Sequence, residues 1–391
     1  MVEAFPGGLR LTTLEGIDAL PASEHLSLAR PAGVYQSRGW LEVSERMARG
    51  PVRYVLARDA WGRLMGLLPL YLSPGGEPGT FYDPAESLGQ GSPWLAGAAS
   101  PVALLGARAG YLAGWSVRSD QGEAGTARLV GLLFTEGCRV AYSLGARLVS
   151  MQFLPRSEAE LLVASGAAGP QELVPQRPQA RIRVPSGGFD AYLASLPPAR
   201  RSAVRRDLLR YARSSCVTSR LRLSEALDFA SELMGRVQDR HGRPIEASLL
   251  RRMLATQARS LDQASLLVAS YRGARPIACS LSYLDGDTLY LRAAGLDHAA
   301  AEATGAYFET AFYEPIRYAG ERGMRWLHVG TGSLRPKLLR GARLEPLFGA
   351  FRRDDGIRVT GADSDRAARR MLDQARTELG PLWPSDFDHR L

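Results

Sequence analysis

Lysine is almost missing from this chain. Its 391 residues carry 49 Lys and Arg side chains, and Lys337 is the only lysine; the other 48 are arginine. Long apolar runs are missing too. None approaches the ~20 residues of a membrane-spanning helix, so stable insertion is not expected. The opening "MVEAFPGGLRLTT" has no basic segment followed by an apolar one, so no secretory signal is expected there. Cysteine is scarce and scattered, at Cys138, Cys216 and Cys279. That excludes a disulfide framework and a zinc spacing, leaves no metal expectation, and fits a reducing cytoplasm. What is present is ordinary for a globular chain: 45% apolar and 23% charged residues, in a length that holds two domains. The net charge of +9 favours polyanionic partners such as RNA or phosphorylated substrates; compositional drift toward arginine is the other reading.

The chain contains a duplication. Residues 55–72, "VLARDAWGRLMGLLPLYL", align without a gap on 267–284, "LVASYRGARPIACSLSYL". Ala57 meets Ala269, Arg63 meets Arg275, and Tyr71-Leu72 meet Tyr283-Leu284. Each is two apolar runs around a polar turn containing glycine, which predicts a β-hairpin. From Glu123 and again from Glu302, a helix-length apolar pattern leads through glycine into a short strand, 147–153 and 325–329. In the second helix Phe308, Phe312, Ile316 and Ala319 form the apolar stripe. Hairpin and helix are separated by 50 residues in the first copy and 17 in the second. "SPGGEPGTFYDPAESLGQGSP" fills much of the longer insert and predicts a loop. The expected domains are 1–180 and 181–352, joined through "GPQELVPQRPQARIRVP", with 353–391 as a helical tail.

"LPPARRSAVRRDLLRYARSS" (196–215) predicts a basic helix. Val204, Leu208 and Tyr211 share one side; Arg206, Arg210 and Arg213 fall on the other. Arg200, Arg201 and Arg205 add to its charge, and only Asp207 opposes it. Such a stripe can grip a phosphate backbone or be a solvated face.

The single lysine lies in "GTGSLRPKLLRG" (330–341). An apolar run, Trp326 to Val329, ends at Gly330, and Pro336 marks a short helix start. A helix start after a glycine-rich loop offers N–H groups to an anion, although this is not the P-loop pattern. Arginine is planar and always charged; lysine is a compact ammonium on a thin stem. A position that keeps lysine in an arginine chain therefore suggests a narrow pocket, one converging phosphate, or proton chemistry.

The strand, then Gly330, Gly332 and Lys337 in a Gly-x-Gly-x(4)-Lys spacing, resembles the Fem-type and CelD-type branch of the GNAT acyltransferase superfamily. The match covers roughly 185–345 well and the first copy more weakly. It includes "FDAYLASLPPARRSAVRRDLLRYA", "VQDRHGRPI" and the hairpin–loop–helix–strand order before Gly330. The resemblance implies an α/β (α+β) fold of two tandem GNAT-like domains, each a mixed, mostly antiparallel twisted sheet flanked by helices. It also implies acyl transfer to an amine. Acyl-CoA-using relatives bind pyrophosphate at a helix start with Arg/Gln-x-x-Gly-x-Gly/Ala. Here that place reads "EATGAY", with Glu302 and Tyr307, and the first copy reads "EAGTAR". A carboxylate facing pyrophosphate is electrostatically unfavourable.

The expected activity is therefore Fem-like: an aminoacyl group moves from aminoacyl-tRNA to an amine of a cell-wall precursor or small metabolite, in the cytoplasm. No cofactor is expected beyond the aminoacyl-tRNA co-substrate. The alternatives are an acyl-CoA-dependent N-acyltransferase and a non-catalytic RNA- or anion-binding scaffold. The resemblance assigns Lys337 to a substrate phosphate or the developing negative charge. His328 stands where the related pattern has an acid, and is the candidate base. Arg335 and Arg340 are candidate phosphate ligands. Arg292, Glu309 and Tyr313 are candidate substrate contacts. Arg201, Arg205, Arg206, Arg210 and Arg213 are the candidate tRNA contacts.

Overall fold

The computed structural model describes residues 4–5, 8–78, 80–96 and 100–389. The expectation drawn from "MVEAFPGGLRLTT" falls partly on residues 1–3 and 6–7, and the insert includes Gly79; these lie outside the described residues. The strands that build the two copies are Leu9–Leu14 (β1), Val52–Arg58 (β2), Leu64–Ser73 (β3), Val102–Leu105 (β4), Leu148–Pro155 (β5), Leu173–Arg183 (β6), Cys216–Leu221 (β7), Ser265–Arg272 (β8), Arg275–Asp285 (β9), Thr288–Leu296 (β10), Trp326–Gly330 (β11) and Arg343–Arg353 (β12). The helices needed below are Gly122–Ser143 (α1), Gly188–Ser195 (α2), Pro198–Ala212 (α3), the broken helix 306–321 (α4), Leu334–Leu338 (α5) and Gly361–Leu379 (α6).

The chain divides into two compact units, residues 1–178 with 345–391, and residues 179–344. The helix expected as a tail is α6, and it groups with the first unit rather than standing alone.

In the first unit β1, β2, β3 and β4 pair antiparallel in sequence order; β4 and β5 pair parallel; β5 then pairs antiparallel with the 347–353 stretch of β12. In the second unit β7, β8, β9 and β10 pair antiparallel; β10 and β11 pair parallel; β11 then pairs antiparallel with the 180–183 stretch of β6. The same sequence of pairings occurs twice, as the duplicated hairpins require. Both sheets are mixed and mostly antiparallel, the tandem GNAT-like arrangement. In each, a long connection carrying a helix separates the two parallel strands, because parallel neighbours need a crossover. The closing strands are exchanged in chain order: β6 follows the first copy yet closes the second sheet, and β12 does the reverse.

The cores follow from the apolar patterns. Val130, Leu133 and Phe134 of α1 are buried with Leu68, Leu70 and Leu105 of the first sheet. Gly66 and Gly137 permit this contact. A Cβ at Gly66 would lie 2.8 Å from Leu133, and one at Gly137 would lie 3.0 Å from Leu68. In α4, Phe312, Ile316 and Ala319 are fully buried, as the stripe predicts. That helix is not continuous: Ala306–Phe308 passes through a π-turn, Glu309–Tyr313, into Glu314–Glu321. Pro315 explains the break, since it has no N–H to donate and its ring would crowd the carbonyl four residues earlier.

Candidate active site

The site is built in the second unit where β11 gives way to α5. Gly330 has φ of 72°, a left-handed conformation that glycine adopts without a Cβ penalty. Gly332 is different: a Cβ there meets nothing within 4 Å. Only the first glycine is demanded by the backbone; the second borders open space. Ser333 also has positive φ, 42°. The short helix α5 then begins at Leu334, two residues before the expected start at Pro336. Its Lys337 is buried, with 6% exposure. The Lys337 carbonyl accepts from the amides of Arg340 and Ala342 at 3.0 Å each, which fixes the backbone under the ammonium.

His328 on β11 is 1% exposed. Its Nε2 lies 2.8 Å from Gln179 Oε1, and its ring centroid is 5.3 Å from that of Tyr290. Its buried Nδ1 has no hydrogen-bond partner among the described residues. Burial, then the charges of Lys337 and Arg181, push the imidazole down to about 3. His328 is therefore neutral at pH 7. Its weak hold on a proton suits a hydrogen-bonding partner better than a base that must deprotonate an ammonium near neutrality.

Arg340 is also buried, but it faces a different set of groups. Its Nη2 donates to Asp207 Oδ2 at 2.5 Å, its Nε donates to Tyr313 Oη at 3.2 Å, and its Nη1 donates to the Pro336 carbonyl at 3.1 Å. The guanidinium also lies 3.3 Å from the Phe308 ring centroid. Tyr313 Oη donates to Asp207 Oδ2 at 2.7 Å. Glu309 is 4% exposed and accepts from Arg317 Nη1 at 2.6 Å. These expected substrate contacts thus form the frame beneath the site. Arg335 is exposed on α5. Arg292 is half-buried on β10; burial pushes the nearby Tyr283 phenol up, and the Arg292 charge opposes that shift.

The basic helix is α3. Val204 is buried, while Arg205, Arg206, Arg210 and Arg213 are exposed. Arg201 turns inward, donating through Nη2 to the carbonyls of Ala194 and Leu196 at 2.9 Å, where it caps the end of α2. Arg206, Arg210 and Arg213 line one open cleft of about 480 Å³ together with Arg272. Arg272, the last residue of β8 beside the turn of the duplicated hairpin, is not among the residues the sequence pointed to. Asp207, the helix's one acid, is held in the frame by Arg340 and Tyr313 and comes no nearer the stripe than 4.0 Å, at Arg210.

No helix among the described residues is long and apolar enough to cross a membrane. Comparison with known proteins places the arrangement. The profile of the FemAB-like family, described as peptidoglycan biosynthesis/recognition, matches residues 130–357. A crystal structure of FemX superimposes with a TM-score of 0.56 at 12% identity, covering 86% of this chain and 96% of that one. A conserved protein of unknown function from Bacteroides thetaiotaomicron VPI-5482 gives 0.51 at 13% identity, covering 80% and 88%. A tandem GNAT protein from the clavulanic acid biosynthesis pathway gives 0.48 at 12% identity, covering 88% and 98%. No curated protein sequence matches the chain. The chain belongs to the FemAB-like family and is an acyltransferase of the GNAT fold.

Proposed function

We propose that this FemAB-like protein transfers an aminoacyl group from aminoacyl-tRNA to an amine. The peptidoglycan description of the family favours a cell-wall precursor as acceptor over a small specialised metabolite. The amine attacks the ester carbonyl and a C–N bond forms. The C–O bond to the terminal ribose then breaks, the amine loses a proton, and the ribose oxygen gains one. Negative charge builds on the carbonyl oxygen between these steps. A buried ammonium stabilises such charge more than one in water does, because the surroundings screen it less. Lys337 is given this role. Neutral His328 orients the neighbouring groups and does not carry the proton.

The observation that carries the donor assignment is the start of α4. The first amides of a helix are normally unsatisfied and can receive a pyrophosphate. Here Ala306 N–H donates to Thr304 Oγ1 at 3.0 Å, and the amides of Phe308 and Glu309 donate to the Gly305 carbonyl. Ala306 is fully buried. A Cβ on Gly305 would lie 3.2 Å from the Asp207 carbonyl oxygen, so α3 packs directly on this turn. Exposed Glu302 precedes it. A helix start whose Ala306 and Phe308 amides are already engaged within the chain, and which is led by a carboxylate, supports a donor other than acyl-CoA. The test is mass-spectrometric detection of an amide product from purified protein, charged tRNA and an amine-bearing precursor. Product formed equally well without the protein sinks the reading.

A further inference from the structure

The cleft on the outer side of α3 has a composition that neither the Lys337 site nor the frame around Arg340 explains. Arg206, Arg210 and Arg213 stand at i, i+4 and i+7, one stripe of the helix. Arg272 faces them from the end of β8. Four guanidinium groups of like charge converge on one concavity of about 480 Å³. Among the described residues, only Arg210 has a carboxylate near it, Asp207 Oδ1 at 4.0 Å. Asp207 is itself engaged by Arg340 and Tyr313. Among the described residues no carboxylate ion-pairs with Arg206, Arg213 or Arg272. Other arginines of this unit are paired: Arg220 with Glu314 and Glu321, Arg236 and Arg275 with Asp297, Arg317 with Glu309 and Glu314. Other exposed arginines of this unit, such as Arg205 and Arg335, also lack an ion pair among the described residues; what sets these four apart is that they share one concave surface.

The cleft is not purely cationic. Leu209 lines it and is 57% exposed, and Thr304 contributes a polar wall. From Arg206 to Arg213 the helix rises about 10 Å, a length over which a single nucleic-acid strand presents more than one phosphate. A stripe of separate charges on that length fits successive phosphodiesters better than one compact anion. An apolar side chain at the same wall offers a surface for a base or ribose, which a bare phosphate would not use.

We propose that this cleft holds the phosphates of the donor's nucleotide portion, as a short single strand of RNA running along α3. The inference rests on the aminoacyl-tRNA reading for the identity of the donor. It goes further in naming where the strand lies, in adding Arg272 and Leu209, and in removing Arg201 from the binding set. Thr304 ties the cleft to the turn that starts α4, so the strand passes beside the wall of the acyl-transfer site.

The test uses the full chain and a single-stranded RNA ending in CCA with a fluorophore on its 5′ end, read by polarisation across a salt series. Arg206→Ala, Arg213→Ala and Arg272→Ala are each expected to weaken binding several-fold and to lower the slope of log K against log salt by about 1. Arg272→Lys keeps the charge and should recover most of the affinity. Arg252→Ala, at an exposed position of the helix Ala247–Leu261 and outside the cleft's lining, should change neither quantity. Melting curves of the variants should match that of the parent, as expected for substitutions at exposed positions. The same variants are titrated with coenzyme A and with anionic phospholipid vesicles. If coenzyme A binds with the same arginine dependence and RNA does not, the RNA strand is overturned together with the tRNA donor reading; if RNA binds but without dependence on these arginines, the strand's place fails and the donor reading survives. If Arg272→Ala matches Arg252→Ala against RNA and coenzyme A alike, the cleft assignment is overturned. Vesicle binding that alone depends on these arginines overturns it as well.

Discussion

Arg340 Nη2 donates to Asp207 Oδ2 at 2.5 Å across 133 positions of sequence, with both side chains nearly enclosed. This contact ties the helix that carries the basic stripe to the segment that carries Lys337. Removing one member of a buried pair leaves an unpaired charge, at a cost of about 3–5 kcal/mol. Asp207→Ala should therefore lower the urea unfolding free energy by that amount. Asp207→Ala combined with Arg340→Met should recover a large part of it. Equal losses in the single and double variants would show that the pairing is not what matters.

Lys337→Arg keeps the charge but places a wider, planar group in a buried position. The expected result is a loss of transfer of tenfold or more with RNA binding unchanged. Lys337→Met, which fits the space without the charge, should lose activity equally while staying folded. Full activity in Lys337→Arg would remove the lysine from the chemistry.

The two glycines of the Gly-x-Gly pair should behave differently. Gly330→Ala forces a Cβ into a left-handed conformation and should cost about 1–2 kcal/mol in stability. Gly332→Ala meets no atom within 4 Å and should leave stability unchanged. A rise in KM for that variant would mark the place where substrate approaches the backbone. Thermal melts and steady-state kinetics on the two variants decide it.

The sequence made the duplication legible because each hairpin and each helix-to-strand step is local. Apolar alternation and glycine turns report such elements directly. The exchange of closing strands β6 and β12 was not legible, because both strands carry suitable patterns and only long-range pairing chooses between sheets. Lys337 stood out by rarity and spacing. The burial of Arg340, Glu309 and Tyr313 did not, since charged and phenolic side chains read as site candidates until their partners are known. Arg201 reads from the sequence as one more charge on the basic helix, and nothing local shows that it donates to the carbonyls at the end of α2. The break in α4 is marked in the sequence by Pro315, which interrupts the apolar stripe.

His328 makes a pH prediction whose sign is fixed. Its native pKa is depressed to about 3 from an ordinary 6.5, mainly by burial. Between those values the unfolded chain binds the proton and the native chain does not. Its contribution is thus fully present above about 6.5 and is lost as pH falls toward 3. His328→Asn should flatten the fall in urea midpoint between pH 7 and pH 5. An unchanged profile would mean that the imidazole is not held neutral. The activity of the parent protein should likewise show no inflection from His328 near pH 6.5.

The donor is the central claim, and a paired assay addresses it most directly. Purified protein is given an amine acceptor with either charged tRNA or acyl-CoA, each with and without ribonuclease, and the amide product is quantified. The expected result is product from charged tRNA that disappears after ribonuclease treatment, and none from acyl-CoA. Robust, ribonuclease-insensitive turnover with acyl-CoA would contradict it.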